Sequence, residues 1–318
     1  MHLYGGNVMG IAGKDLLSIH DLSIAEVNEI LELSGTLKAK LKAGEEHHLL
    51  KGKTLGMIFQ KSSTRTRVSF EVGMWQLGGA ALFLSANDLQ IGRGEPVKDT
   101  ARVLSRYVDG IMLRTTAHDE AIEMAKYASI PIINALTDLM HPCQALTDIF
   151  TIMEYKGSLK GLKMAYIGDG NNMLHSLLHA CVKVGMDISV ATPKGYEPDP
   201  LMVAEARQVA ETTGSKIVLC NDPLVAAQDA DVLYTDVWAS MGKETEQNIR
   251  KIAFVNYQIN NEVMKVAKSD AIVLHCLPAH RGEEITDEVL EGKQSAVFDQ
   301  AENRLHVQKA IMVLLMGK

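Results

Sequence analysis

A chain of 318 residues is long enough for two ordinary domains and a substantial core, and at 47% apolar and 22% charged residues it is not a disordered chain. A net charge of −7 gives no support to nucleic-acid binding, and no apolar stretch reaches the length of a membrane span. Residues 1–6 lack the character of a secretory or transit peptide, and the four cysteines are too scattered for a disulfide framework or a metal knuckle, so a cytoplasmic protein is expected.

In chain order, strands are expected at Thr54–Phe59, Ala81–Leu84, Gly110–Arg114 and Pro131–Asn134, with helices such as Lys98–Tyr107 and Asp119–Ala128 between them. A helix follows at Gln144–Tyr155, its start marked by Pro142 and by Asp138 upstream. A second series of strands covers Lys163–Ile167, Asp187–Ala191, Lys216–Leu219, Val232–Thr235, Ala271–His275 and Ser295–Asp299. Helices there include Met173–Val184 and Pro200–Thr213, and Glu302–Met316 reads as a final amphipathic helix. Apolar strands that each lead into a helix predict an α/β protein of two domains, each a parallel sheet flanked by helices. The division is expected near the helix Gln144–Tyr155: residues 1–150, residues 151–301, and residues 302–318 packing back on the first domain. The active site is expected in the cleft between the two domains.

Polar residues gather where such sheets bind ligands, just past the carboxyl ends of strands. Lys61-Ser62-Ser63-Thr64-Arg65-Thr66-Arg67 follows the first strand and opens a helix. Hydroxyls, arginine forks and a helix N-terminus together suit a doubly charged phosphate, although a capping turn with solvated arginines would use the same residues. Arg114, His141 with Gln144, Asp169 to Asn172, Asp236, and His275-Cys276-Leu277-Pro278 occupy further strand ends. Gly168-Asp169-Gly170 resembles a dinucleotide turn, but Met173 stands at the third glycine and the next strand runs into Thr192-Pro193-Lys194 instead of an acid. His141 can serve the site or merely cap a helix. Cys276 can be a nucleophile beside a histidine, and His141, Cys143, His275 and Cys276 can be drawn into a metal site, though no spacing marks one.

Lys-Ser-Ser-Thr-Arg-Thr-Arg at 61–67, His-Pro-Cys-Gln at 141–144 and His-Cys-Leu-Pro at 275–278, in that order over essentially the full length, resemble the carbamoyltransferase family. Asp236 with Ser240-Met241-Gly242, and the cysteine of His-Cys-Leu-Pro, are similar to the ornithine branch of that family. The resemblance implies carbamoyl transfer from carbamoyl phosphate to the δ-amine of L-ornithine by direct attack through a tetrahedral intermediate, with another amine such as putrescine as the alternative acceptor. It implies that Ser63, Thr64, Arg65 and Thr66 cradle the phosphate, that Arg114 bridges phosphate and carbonyl oxygens, and that His141 binds the carbonyl oxygen. By the same resemblance Gln144 and the Leu277 carbonyl hold the carbamoyl NH2, and Arg304 reaches the same ligand. Gln90 is lent to a neighbouring subunit, which implies a homotrimer or a multiple of trimers. Asn172, Asp236, Ser240 and Met241 grip ornithine, and Cys276 lies near the attacking amine; Arg114, His141 and Cys276 form the catalytic set. No metal, organic cofactor, nucleic acid or membrane is implied.

Overall fold

The computed structural model describes residues 11–239 and 246–317, and the chain forms two compact units: Met1–Cys143 with Leu305–Lys318, and Gln144–Arg304. The first unit opens with α1 (Ile24–Lys42), which starts at a capping box in which Ser23 and Glu26 satisfy each other's backbone N–H groups. Then come β1 (Thr54–Phe59), α2 (Thr64–Gln76), β2 (Ala80–Ser85), α3 (Val97–Leu104), β3 (Gly110–Arg114), α4 (His118–Tyr127) and β4 (Ile132–Leu136). All strand pairs are parallel, in the order β2-β1-β3-β4. The inner strands β1 and β3 are covered on both faces and read as unbroken apolar runs, as parallel strands do.

Helix α5 (Pro142–Lys156) spans the change of unit, with Pro142 at its first position, where a missing N–H costs nothing. Asp138 does not serve that helix; its carboxylate accepts from the N–H of His118 at 3.1 Å and so supports the start of α4.

The second unit contains β5 (Lys163–Ile167), α6 (Asn172–Lys183), β6 (Asp187–Ala191), α7 (Pro200–Thr213), β7 (Ile217–Cys220), α8 (Pro223–Ala227) and β8 (Val232–Thr235). It continues with α9 (Gln247–Phe254), α10 (Asn261–Val266), β9 (Ile272–His275), α11 (Asp287–Leu290) and the first part of α12 (Val297–Met316). Its sheet is again parallel, in the order β7-β6-β5-β8-β9.

The strand expected at Ser295–Asp299 is corrected: Ser295 makes one isolated bridge to Val273, and the chain turns into α12 at Val297. A short apolar run such as Ala296-Val297-Phe298 has no period by which strand and helix can be told apart. Among the described residues, no helix is long and apolar enough to cross a membrane.

Residues 305–316 of α12 belong to the first unit and are built into it closely. A Cβ at Gly73 of α2 would stand 3.0 Å from Met312, and one at Gly110 of β3 would stand 2.9 Å from Met316. Gly13 N–H donates to the Leu315 carbonyl at 3.0 Å. Buried Lys309 donates to His47 at 3.0 Å and to Gln76 at 2.9 Å, and burial holds its amine down to about 8.

Candidate active site

Each sheet order contains one reversal of direction, between β1 and β3 in the first unit and between β5 and β8 in the second. Open parallel sheets bind ligands past the carboxyl ends of the strands at such a switch. Ser63 to Thr66, Arg114, Asp169 to Asn172 and Asp236, singled out from the sequence, follow those four strands, whereas His141 with Gln144 comes after β4 and Cys276 with Leu277 after β9.

In the first unit β1 ends at Phe59, directly opposite Arg114 at the end of β3. Ser63, in an extended conformation, caps α2: its Oγ accepts from the Thr66 N–H at 3.3 Å and donates to Thr66 Oγ1 at 3.2 Å. Thr64 and Arg65 occupy the exposed start of the helix, Thr66 is buried, and the first turn carries no acidic residue. The positive end of the helix is therefore left for an external anion. Arg67 is committed elsewhere, its Nε on Glu71 at 3.0 Å and its guanidinium 3.8 Å from the centre of the Phe83 ring. Arg114 and His141 are both buried, and Cys143 is buried with its thiol donating to the Asn134 carbonyl at 3.4 Å. Gln90 lies exposed at the start of a short 3-10 turn, Gln90–Arg93.

In the second unit Asp236 follows β8 and is nearly enclosed. One carboxylate oxygen accepts from Asn171 Nδ2 at 2.8 Å; the other accepts from the Val237 N–H at 2.8 Å and the Cys276 thiol at 3.1 Å. Burial, and then the facing carboxylate, push the Cys276 thiol well above its usual range, so it is a neutral donor and not a thiolate. Asn171 caps α6, its Oδ1 accepting from the N–H groups of Met173 and Leu174. It is thus Asn171 that touches Asp236, while Asn172 is the half-exposed first residue of the helix. Ser240 and Met241 lie outside the described residues. Arg250 of α9 pairs with buried Asp169 at 2.9 Å, donates to the Trp238 carbonyl at 2.8 Å and meets Glu246 at 3.0 Å. It thereby ties Trp238 to Glu246.

Past β9, His275 is locked: its Nδ1 accepts from the Leu277 N–H at 2.9 Å, so the ring proton sits on Nε2 and donates to Glu284 at 3.0 Å. Glu284 is fully buried and also accepts from the His280 N–H at 2.6 Å. This bracing holds Leu277 at φ +56°, a left-handed conformation unusual for a branched residue, and the Leu277-Pro278 peptide is cis. Asp236, His275 and Cys276 bring potential metal-ligand atoms within 4.8 Å of one another. Both nitrogens of His275 are engaged by Leu277 and Glu284, and the Cys276 thiol donates to Asp236, so these atoms serve hydrogen bonds in this structure.

Gln144 and Arg304 meet at 2.6 Å, Arg304 Nη1 donating to Gln144 Oε1. Behind them lies a residue the sequence reading passed over. Asp148 is fully buried, accepts from Gln144 at 2.8 Å and from Gln300 at 2.6 Å, and burial pushes its carboxyl up to about 7. Its spacing of four from Gln144 on one helix was the available signal. Gln300 fell in the gap between the misread strand and the helix expected from Glu302, and no local pattern marks Glu284. The glycine turn after β5 answers to packing: a Cβ at Gly170 would lie 2.4 Å from the backbone of Glu197 and Pro198.

Residues 14–154 match the family model described as the carbamoyl-P binding domain of aspartate/ornithine carbamoyltransferase, and residues 160–315 match its Asp/Orn binding domain. The chain is 56% identical over 310 residues to an ornithine carbamoyltransferase of Thermococcus kodakarensis, covering 98% of each chain. It is 55% identical to the anabolic ornithine carbamoyltransferase of Pyrococcus furiosus, with the same coverage. Among solved structures, ornithine carbamoyltransferase from Pyrococcus furiosus superposes with a TM-score of 0.94 at 55% identity, over 96% of this chain and 98% of that one. The anabolic enzyme from Campylobacter jejuni gives 0.89 at 44% identity, over 94% and 97%.

Proposed function

Since the chain belongs to the aspartate/ornithine carbamoyltransferase family, we propose that it transfers the carbamoyl group of carbamoyl phosphate to the δ-amine of L-ornithine, giving L-citrulline and phosphate. The observation that carries the choice of acceptor is Asp236. A nearly enclosed carboxylate, held by Asn171 and a neutral thiol, attracts an ammonium group and repels the two carboxylates of aspartate.

In this reading Ser63, Thr64, Arg65 and Thr66 bind the phosphate with the N-terminus of α2, which the absence of acids in that turn supports. Arg114 spans phosphate and carbonyl oxygens and His141 donates to the carbonyl oxygen. Gln144 and the Leu277 carbonyl take the carbamoyl NH2, with Arg304 beside them. Asn172, Asp236, Ser240 and Met241 hold ornithine, Asp236 at its α-amino end, and Cys276 lies by the δ-amine. The neutral amine attacks the carbonyl carbon, the C–O bond to phosphate breaks, and the proton shed by nitrogen leaves on the phosphate. Negative charge grows on the carbonyl oxygen during attack, and fixed donors aimed there contribute about 3 kcal/mol each to lowering the barrier. A lysine-like amine has a pKa of about 10, so the site must take up the minor neutral form.

The finer reading extends to assembly and place. Gln90 completes a neighbouring subunit's site in a trimer, a role supported by its exposure and by the apolar side chains of Val68, Trp75, Leu82 and Phe83 left open on α2 and the edge strand β2. The trimer works in the cytoplasm. Incubation with carbamoyl phosphate and a panel of ornithine, putrescine and aspartate tests the function: citrulline is formed with the highest kcat/KM. Faster formation of carbamoyl-putrescine or carbamoyl-aspartate would overturn it.

A further inference from the structure

Two glutamine side chains converge on one oxygen of Asp148. Gln144 Nε2 donates to its Oδ1 at 2.8 Å from one turn earlier on α5, and Gln300 Nε2 donates to the same atom at 2.6 Å from α12. Both amides meet the same oxygen, Oδ1, which accepts whether or not Oδ2 carries a proton, so each amide turns its NH2 toward Asp148 and its own oxygen away. The oxygen of Gln144 then receives Arg304 at 2.6 Å, and that of Gln300 receives the His275 N–H at 3.0 Å. The hydroxyl of Tyr234 closes the group, 3.5 Å from Gln300 Nε2.

From this arrangement we infer that Asp148 is a positioning residue for carbamoyl transfer: it fixes Gln144 with its oxygen outward to read the carbamoyl NH2, and through Gln300 it pins the end of β9 where the Cys276-Leu277 turn begins. The inference rests on the role given to Gln144 under the proposed function. It adds a specificity device to that role. Acetyl phosphate carries a methyl group where carbamoyl phosphate carries NH2. A Gln144 amide held oxygen-outward favours the NH2, whereas a freely flipping amide sets donor against donor half of the time and loses the preference.

The test uses the full-length enzyme with Asp148→Leu, which removes the acceptor at similar volume, and Asp148→Asn, which keeps an acceptor oxygen. Steady-state assays with ornithine yield KM for carbamoyl phosphate and inhibition constants for acetyl phosphate and inorganic phosphate. In Asp148→Leu the KM for carbamoyl phosphate rises about tenfold, while both inhibition constants stay within about twofold of wild type. In Asp148→Asn the discrimination between carbamoyl and acetyl phosphate is retained within about threefold. A lower kcat in Asp148→Leu with the discrimination intact would overturn the positioning role. Should the leucine variant not fold, hydrogen exchange on wild-type protein labelled with 15N-glutamine decides. The side-chain NH2 groups of Gln144 and Gln300 exchange far more slowly than those of exposed glutamines; equal rates overturn the inference. Wild-type enzyme that forms no citrulline refutes the functional reading instead, so the two failures are distinct.

Discussion

Replacing Asp148 with Asn also has a thermodynamic consequence, and its sign is unambiguous. Burial pushes this carboxyl from 3.8 to about 7, against the opposing pull of Gln144, Gln300, Tyr234 and Arg304. Between about pH 4 and pH 7 the folded chain therefore holds a proton that the unfolded chain has lost. Stability contributed by this group is fully present below pH 4 and is lost as pH rises to the folded pKa. A displacement of that size corresponds to about 4 kcal/mol, of which more than half develops between pH 5 and pH 8. Asparagine cannot ionise, so Asp148→Asn escapes this loss. Urea unfolding of both proteins at pH 5, 6, 7 and 8 isolates the effect, because every other titrating group cancels in the difference. The variant gains on wild type by about 2 to 3 kcal/mol across that range. Difference curves that stay flat, or that favour wild type as pH rises, would refute the assignment of Asp148 as a carboxyl raised by burial.

Other substitutions probe the remaining parts of the site. Ser63→Ala removes the cap of α2, costs about 1 kcal/mol by urea unfolding and raises the KM for carbamoyl phosphate; an unchanged KM dismisses Ser63 as a ligand. Asp236→Asn raises the KM for ornithine by about 30- to 100-fold, the worth of a charged hydrogen bond, and leaves that for carbamoyl phosphate near wild type. Equal rises in both would mean general damage. Arg250→Met removes the cation paired with buried Asp169 and lowers stability by about 3–5 kcal/mol; a loss below 1 kcal/mol would show that the pair is relaxed in solution.

Much of the architecture was legible because parallel strands covered on both faces leave apolar runs of characteristic length. Thr54–Phe59, Gly110–Arg114, Lys163–Ile167, Asp187–Ala191 and Val232–Thr235 are strands within the bounds expected for them. The candidate clusters were legible for the same topological reason, since most of them stand at or shortly past the end of such a strand. What escaped the sequence is the layer behind. Glu284 reaches His275 across nine residues of irregular chain, and Gln300 reaches Asp148 over 152 positions, so neither contact has a local period or spacing. Ser295–Asp299 misled because a bridge of one residue pair and a helix start share the same apolar run. The residue pattern offered Asn171 and Asn172 as a pair and the resemblance chose Asn172; that Asn171 is the one turned toward Asp236 follows from its capping of α6.

The return of residues 305–316 to the first unit has a consequence for how the molecule comes into being. The floor under Gly73 and Gly110, and the partner of His47 and Gln76, are side chains that follow the whole of the second unit in the chain. During synthesis the first unit therefore emerges first yet is finished last, with Met312, Met316 and the hydrogen-bonding amine of Lys309 arriving some 160 residues late. A nascent chain displaying only the first 143 residues exposes that apolar seat, and it is there that a chaperone or an aggregate would find its hold.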